Sequence, residues 1–249
     1  MKELGKRIKN ILIPLLIIFF IVFVSNPLKM KIGIQNSFSV MIFHIIYSNL
    51  PEGFSVIAIT PFEAIMVDVK LSLLISLIII MPWILLQISL FVGPALYSYE
   101  RRLLILSIIP VIMFFIAGFL FAASLIIPLM FKFADTLDIS MGILPTVSAS
   151  SFVLTIFIIE FSMGLSFEIP MFMLSLTYLG VINSKQIKNN WRYGIAGSFI
   201  IALIISPGAT GGFVETLIGL IISGLYFLGY AFSVKAEKWK VKNNENMDV

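Results

Sequence analysis

The run DVKLSLLISLIIIMPWILLQISLFV, residues 68–92, decides the fold class of this chain. No charged residue occurs between Lys70 and Glu100. A helix of about 20 apolar residues is long enough to cross the roughly 30 Å hydrocarbon core of a bilayer. The run therefore predicts a transmembrane helix.

The composition extends this prediction to the whole chain. The 249 residues are 59% hydrophobic and 12% charged, with a mean hydropathy of +1.07, whereas soluble domains are roughly 45–50% apolar and about 25% charged. The absence of cysteine excludes disulfides, thiolate metal sites and cysteine nucleophiles. The net charge is +4, but the basic residues lie beside apolar segments in no continuous stripe, so we expect no nucleic-acid partner. A polytopic membrane protein is predicted.

Hydropathy predicts an all-α fold with one six-span domain over residues 1–234, followed by a basic and polar tail, residues 235–249. The spans lie near residues 9–25, 68–92, 104–128, 149–178, 193–206 and 213–234. The start imitates a signal peptide, but no A-x-A-like site follows, so we expect a retained anchor. Prolines in the first four spans predict bends and a curved, concave wall: Pro14, Pro82, Pro110, Pro128 and Pro170.

Lysine and arginine predict the orientation. With a cytoplasmic N-terminus, thirteen of the 17 fall on the inner face and three on the outer face, with Lys70 near a helix end. Because cytoplasmic loops carry the excess of positive charge, both termini are predicted to lie inside a cytoplasmic membrane.

The predicted outer loops differ in length. The first, residues 26–67, contains two apolar pieces too short to span, SVMIFHIIY and FSVIAI, which we expect on or against the membrane. The second covers residues 129–148, and the third is only PGATGG, residues 207–212. Span five, residues 193–206, would reach only about 21 Å as a helix. We therefore expect a thinned bilayer around spans five and six, or shielding by protein.

Residues for catalysis are scarce. The only histidine, His44, has no second imidazole to complete a zinc site. The stretch MGLSFEIP resembles the G-x-S-x-G nucleophile elbow of hydrolases, but Glu168 occupies the position of the second glycine, so the motif is not present. We predict no catalytic residue, no metal, no cofactor and a protein that is not an enzyme.

Acids within the predicted membrane are the most informative residues. Glu160, Gly164 and Glu168 share one face of span four because they are spaced by four residues, and glycine allows another helix to approach closely. Pro170 leaves the carbonyl of Ser166 without its helical donor. This polar patch is either a functional site or a structural hydrogen bond between helices.

Other charged residues have two interpretations each. Glu100 and Glu3 lie among positive charges on the predicted cytoplasmic rim, where an exposed ion pair is worth roughly 0–1 kcal/mol. Glu215 near the start of span six, and Lys70 with Asp68 near the start of span two, can be anchors that reach the interface. Composition alone does not decide these roles.

Two long segments carry a family resemblance. TPFEAIMVDVKLSLLISLIIIMPWILLQISLFVGPALYSYERR, residues 60–102, and GLSFEIPMFMLSLTYLGVINSKQIKNNWR, residues 164–192, resemble the signature of the TatC family, the core subunit of the twin-arginine protein translocase. The six predicted spans, inside termini and long first outer loop are also similar, so the resemblance covers nearly the whole chain.

The resemblance implies a receptor for twin-arginine signal peptides at the cytoplasmic face. In the family pattern the acid of the P-A-L-Y-x-x-E-R motif is a principal arginine contact, here Glu100, and the acid of the N-terminal E-L-x-K-R motif is the second, here Glu3. Phe91, Gln87 and Arg101 complete the predicted peptide site. Planar carboxylate–guanidinium pairing would favour paired arginines over paired lysines.

The resemblance also implies partners. Members recruit TatA-type single-span subunits, with or without a TatB-type one, self-associate in a larger complex, and move folded cargo across the membrane with the proton-motive force. The intramembrane glutamate of the F-E-x-P motif matches Glu168, to which the resemblance assigns partner docking.

This chain departs from the family pattern at several positions. Gly5 replaces a common arginine, Phe227 replaces a frequent glutamate, and GATGG lacks the acid of the T-P-x-D pattern. Glu160, conversely, is an acid where the pattern is apolar. We hypothesise that the polar partner-docking site has shifted toward Glu160 and Glu215. Its predicted residues are Glu168, Glu160, Ser206 and Glu215.

A small proton-coupled secondary transporter, with Glu160 and Glu168 as its coupling site, is the alternative function. Transporters commonly contain inverted repeats, and this chain shows no clear repeat. An intramembrane hydrolase would need a nucleophile and a base, for which we find no candidates. The translocase receptor is therefore the predicted function.

Overall fold

The computed structural model describes the backbone of residues 2–31, 38–48, 50, 54–92, 98–206, 208 and 211–245. It describes side-chain surroundings for residues 5–24, 41–48, 50, 54–84, 87, 108–206, 208 and 211–239. The chain divides into two compact units: Met1–Ala95 with Ile127–Ile158, and Leu96–Ile126 with Ile159–Val249.

The described residues form mainly helices. In chain order the elements are α1 (Lys2–Lys31), α2 (Phe38–Tyr47), β1 (Ser55–Ile57), α3 (Glu63–Val92), α4 (Ser98–Phe121), a π turn (Ala122–Ile126), α5 (Ile127–Ser140), β2 (Thr146–Ser148), α6 (Ala149–Ser166), α7 (Ile169–Tyr178), α8 (Ser184–Asn189), α9 (Trp191–Ile205) and α10 (Phe213–Glu245).

Five stretches of these helices are long and apolar enough to cross a membrane. They are Gly5–Val24, Glu63–Ile84, Ile108–Ser140, Ala149–Tyr178 and Phe213–Trp239. A sixth apolar helix, α9, is shorter. The six regions are those in which the sequence predicted spans, which confirms a multi-pass membrane protein. At 15 residues, α9 reaches about 23 Å, so the predicted short length of the fifth apolar helix is confirmed, whereas its crossing of the membrane and the bilayer thinning stay predictions.

In the first unit, α1 and α3 pack side by side. Val22 of α1 is buried against Leu74 and Ile75 of α3. Nearer the start of α1, the indole Nε1 of Trp83 donates to the carbonyl of Asn10 at 2.9 Å. Residues later in α1 thus meet residues earlier in α3, so the two helices are antiparallel.

The first outer loop is more structured than the sequence predicted. The piece SVMIFHIIY lies in α2, and Ile42 packs against the buried cluster formed by α1 and α3. The other piece, FSVIAI, contains β1, which pairs in parallel with β2 so that Ser55 lies opposite Thr146. The all-α fold class is confirmed, and the short β1–β2 pair is a feature that the sequence did not predict. Hydropathy could not detect the pair because its two strands lie far apart in sequence and satisfy each other's backbone groups.

The second outer loop was predicted too long. Residues 129–140, assigned to it, are helical in α5. The charges of Lys132, Asp135 and Asp138 lower the hydropathy there, but a helix makes its backbone hydrogen bonds internally and can continue beyond the lipid. Phe131 also anchors the segment, because its ring contacts Phe54 and Phe152 at 5.2 and 5.3 Å between centroids. The predicted tail is likewise helical as far as Glu245.

The prolines interrupt the helices less uniformly than predicted. Pro82 and Pro110 lie inside helices that continue through them. A π turn, residues 122–126, ends two residues before Pro128, whose missing N–H disturbs the normal hydrogen-bond ladder. At Pro170 the helix is broken: α6 ends at Ser166 and α7 begins at Ile169.

In the second unit, α10 packs against α7 and α9. Glycines bring these helices close together, because a Cβ at Gly229 would lie 2.5 Å from the sulfur of Met173, and one at Gly219 would lie 2.7 Å from the ring of Phe199. Small residues at such positions are typical of helix packing in membranes.

Candidate functional site

Glu168 lies at the break between α6 and α7. It is the N-cap of α7, and its side chain makes no capping hydrogen bond. Its own N–H donates to the carbonyl of Leu165 at 3.1 Å, and its carbonyl accepts from Phe172 at 2.8 Å. Its Oε1 is buried and, among the residues that the structure describes, has no hydrogen-bond partner. A buried carboxylate oxygen without such a partner is available to a group that the chain does not supply.

Glu160 and Gly164 precede Glu168 on α6. Glu160 is only 5% exposed. At Gly164 the ring of Phe115, from α4, lies so close that a Cβ would come within 2.7 Å of it. The close helix approach predicted at this glycine is therefore confirmed, and α4 closes this face by packing.

The two helices approach through a second glycine. A Cβ on Gly118 of α4 would lie 2.7 Å from the carbonyl oxygen of Met163 and equally close to the ring of Phe167. Neither Gly118 nor Phe115 was identified from the sequence. The only signal was a glycine in an otherwise bulky span, which does not indicate its neighbour.

Ser206 and Glu215 are brought together in the second unit. Ser206 caps the C-terminus of α9, and Glu215 lies in the first turn of α10. The Ser206 hydroxyl donates to Oε1 of Glu215 at 2.7 Å, and both residues are buried, at 9% and 8% exposure. Glu215 is therefore more than an interface anchor, and it forms a buried polar pair at the short α9–α10 connection.

Gln87 is the predicted peptide-site residue whose side chain the structure describes. It is 5% exposed, and its Oε1 accepts a hydrogen bond from Nη1 of Arg7 at 3.3 Å. From the sequence, Arg7 was predicted only as one of the basic residues of the cytoplasmic face. Its contact with Gln87 joins the start of α1 to the last third of α3.

The other predicted peptide-site residues have described backbones only. Glu3 lies in α1, Phe91 in α3, and Glu100 and Arg101 in the first turn of α4. Their side chains lie outside the described part of the structure, so their roles stay predictions.

A polar cluster at the start of α3 was missed. Oε1 of Glu63 accepts from the N–H of Ser150 at 2.9 Å, and Oε2 accepts from the N–H groups of Ile59 and Thr60. Lys70 donates to both the carbonyl and the hydroxyl of Ser150, so it is bound within the protein and does not serve only as an anchor. The spacing Thr60-x-x-Glu63 is a helix-capping pattern that could have revealed the local half of this cluster.

No three His, Asp or Glu side chains within the described ranges lie close enough together to hold a metal ion.

Comparisons with known proteins identify the family of this chain. Residues 1–232 match the family model "Sec-independent protein translocase protein (TatC)". The TatC protein of Escherichia coli strain K12 is 28% identical over 234 residues, which cover 93% of this chain and 85% of the relative. The TatC protein of Aquifex aeolicus is 31% identical over 179 residues, covering 70% of this chain and 75% of the relative.

Solved structures agree with the sequence relatives. A crystal structure of the twin-arginine translocase receptor TatC superimposes with a TM-score of 0.79 at 27% identity, covering 95% of this chain and 98% of the other. A second structure of that receptor, in DDM, gives a TM-score of 0.78. The family match over nearly the whole chain, together with this shared fold, shows that the chain belongs to the TatC family of Sec-independent protein translocase proteins.

Proposed function

We propose that this chain is the core subunit and signal-peptide receptor of a twin-arginine translocase in the cytoplasmic membrane, with both termini in the cytoplasm. The match of residues 1–232 to the TatC family carries the proposal. The excess of basic residues on one predicted face supports the orientation. Family membership favours this function over the alternative of a proton-coupled transporter. Such a transporter would use Glu160 and Glu168 for proton coupling and would have no signal-peptide site.

The packing of α1 on α3 supports a peptide site at their shared end. Arg7 bonds Gln87 across the two antiparallel helices. Glu3 lies four residues before Arg7, and Phe91 lies four residues after Gln87, so both are about 6 Å further along the same direction. The second acid and the aromatic residue of the predicted site thus belong to one end of this helix pair.

The chemistry of two acids suits paired arginines. A guanidinium offers parallel N–H donors to the two oxygens of a carboxylate, whereas a lysine ammonium is a point charge. Glu100 is the first such acid and Glu3 the second, with Arg101 beside Glu100. The basic surroundings repel loosely matched cationic peptides and so add to selectivity.

Peptide binding tests this proposal. We expect Glu100→Gln to weaken binding of a labelled twin-arginine signal peptide by about 10- to 100-fold, the loss of a charge-assisted hydrogen bond, and to remove the preference over the twin-lysine peptide. Asp138→Asn changes an acid elsewhere in the chain and is the matched control. Equal binding of both peptides by the unmodified protein would contradict the proposal.

We further propose that polar residues within the membrane dock single-span TatA-type or TatB-type subunits in a larger, self-associating complex that uses the proton-motive force. The unpartnered oxygen of Glu168 and the buried pair of Ser206 and Glu215 support this assignment. Site-specific crosslinking to a co-expressed single-span subunit should fall in Glu168→Ala and in Glu215→Ala. If the docking site has shifted as hypothesised, Glu160→Ala lowers crosslinking as well, and unchanged crosslinking in Glu160→Ala and Glu215→Ala rejects that shift.

A further inference from the structure

A cleft in the second unit has no role in the function proposed above. It has a volume of about 470 Å³ and opens where α8 and the start of α9 meet α10. Its wall is fixed by Tyr226, whose hydroxyl donates to the carbonyl of Ile187 at 2.8 Å. The same ring covers Gly194 so closely that a Cβ there would lie 2.4 Å from it. The cleft is therefore built by specific packing.

The rim of the cleft is basic and polar. Lys188 and Asn189, both exposed on α8, line it beside Trp191. The guanidinium of Arg192 lies 5.7 Å from the centre of the Trp191 ring, a cation–π distance. The rim thus offers a lysine ammonium and an amide as donors, with a second cation held against Trp191.

The acid on the neighbouring part of α10 is already engaged. Glu237 accepts hydrogen bonds from both the N–H and the hydroxyl of Ser184, the first at 2.7 Å. Its charge is therefore directed to the start of α8. The field at the rim of the cleft remains positive, which favours an anionic ligand.

An apolar strip continues from the cleft along α10. Phe227 lines the cleft and is 47% exposed, and Leu220, two turns earlier on the same face, is 60% exposed. Between them, a Cβ on Gly224 would meet no atom within 4 Å. The strip lies inside a candidate membrane span, while Trp191 and Tyr230 at the cleft are of the aromatic type enriched at the membrane–water interface.

We propose that this cleft binds an anionic phospholipid, with its phosphate against Lys188 and Asn189 and an acyl chain along Phe227 and Leu220. Charge complementarity selects the anionic headgroup, and the exposed strip below the rim selects a ligand with a hydrocarbon chain. A zwitterionic lipid such as phosphatidylcholine would bring its own positively charged ammonium group close to Lys188. The site depends neither on the signal peptide nor on partner subunits.

Tryptophan quenching by brominated lipids tests the proposal on the full chain. The protein is reconstituted in phosphatidylcholine bilayers, and phosphatidylglycerol or phosphatidylcholine brominated close to the glycerol is titrated in. Subtracting the quenching of Trp191→Phe isolates the signal of Trp191. We expect brominated phosphatidylglycerol to give the same quenching as brominated phosphatidylcholine at a mole fraction about five times lower. One basic side chain near an anionic headgroup changes the affinity by about that factor of five.

The variants locate the binding site. Lys188→Gln and Phe227→Glu should each abolish the preference for phosphatidylglycerol, which we expect to be about fivefold in the unmodified protein. Lys185→Gln, which removes an exposed lysine of α8 that does not line the cleft, should keep it. Equal quenching by both lipids, an equal loss in Lys185→Gln and Lys188→Gln, or displacement of the lipid by excess inorganic phosphate would each overturn the proposal.

Discussion

Glu63 is a buried acid and Glu168 a half-buried one, and the buried oxygens of the two have opposite surroundings. The two oxygens of Glu63, in the first unit, accept from the backbone N–H groups of Ile59, Thr60 and Ser150. Oε1 of Glu168, in the second unit, is buried and has no partner among the described residues. A buried polar group is normally satisfied within the protein.

From this difference we expect Glu63 to hold the fold together and Glu168 to be available to another molecule, as proposed above. Glu63 joins segments far apart in sequence, and Lys70 secures the same residue, Ser150, from a second direction. Glu168 leaves an acceptor open at a helix break. Substitutions can therefore test whether Glu63 acts mainly on stability and Glu168 mainly on function. The variants below are ordered from the largest expected effect on stability to the smallest.

Glu63→Ala is expected to lower the melting temperature more than any other substitution considered below, because it leaves three backbone donors without an acceptor. Glu63→Gln should give an intermediate loss, since its single carbonyl oxygen can replace only one of two accepting oxygens. Thermal unfolding in detergent measures both, with Asp138→Asn as the control. An unchanged melting temperature in Glu63→Ala would remove the basis of the contrast.

Gly164→Ala tests whether packing, and not hydrogen bonding, closes the face that carries Glu160 and Glu168. The new methyl group meets the ring of Phe115, so we expect a loss of about 1–3 kcal/mol in unfolding free energy. Adding Phe115→Leu should recover part of it, as neighbouring substitutions couple. Gly197→Ala is the control, because nothing lies within 4 Å of its Cβ position. A similar loss in Gly197→Ala would point to a general intolerance of alanine.

Ser206→Ala tests the buried pair of Ser206 and Glu215, for which we expect a loss of stability between those at Glu63 and at Glu168. Removing the hydroxyl deprives the buried Glu215 of a donor at 2.7 Å, which should cost about 1–2 kcal/mol in unfolding free energy. Ser206→Thr keeps the hydroxyl and should retain most of the stability. Denaturant unfolding of both variants measures the difference, and equal losses would show that the hydroxyl is not the relevant group.

Glu168→Gln is expected to have the smallest effect on stability, within about 0.5 kcal/mol of the unmodified protein, since no described partner of Oε1 is lost. Export of a folded reporter with a twin-arginine signal should nevertheless fall. Glu63→Gln is the comparison variant, in which we expect a lower melting temperature than in the unmodified protein. A large fall in the melting temperature of Glu168→Gln, with normal export, would reverse the roles of the two acids.

Much of the fold followed from the sequence, because membrane spans depend on local composition. The six apolar regions and the short α9 were predicted correctly, whereas at Pro170 the sequence predicted a bend and the structure has a break between α6 and α7. The continuation of the chain as helix through residues 129–140 was not, since hydropathy reports where lipid ends and not where a helix ends. Of the candidate sites, Glu160, Glu168, Ser206 and Glu215 were chosen as intramembrane polar residues, but their partners were not foreseen.

The sequence by itself determined that the chain crosses a membrane, where its charges concentrate, and which family motifs it carries, because each of these depends on residues close together in the chain. Only the tertiary structure decided which buried acids are satisfied. Glu63 meets Ser150, Arg7 meets Gln87, and Gly164 meets Phe115 across long sequence separations. A hydrogen bond or a close contact depends on where a partner lies in space, and that position is set by the packing of whole helices.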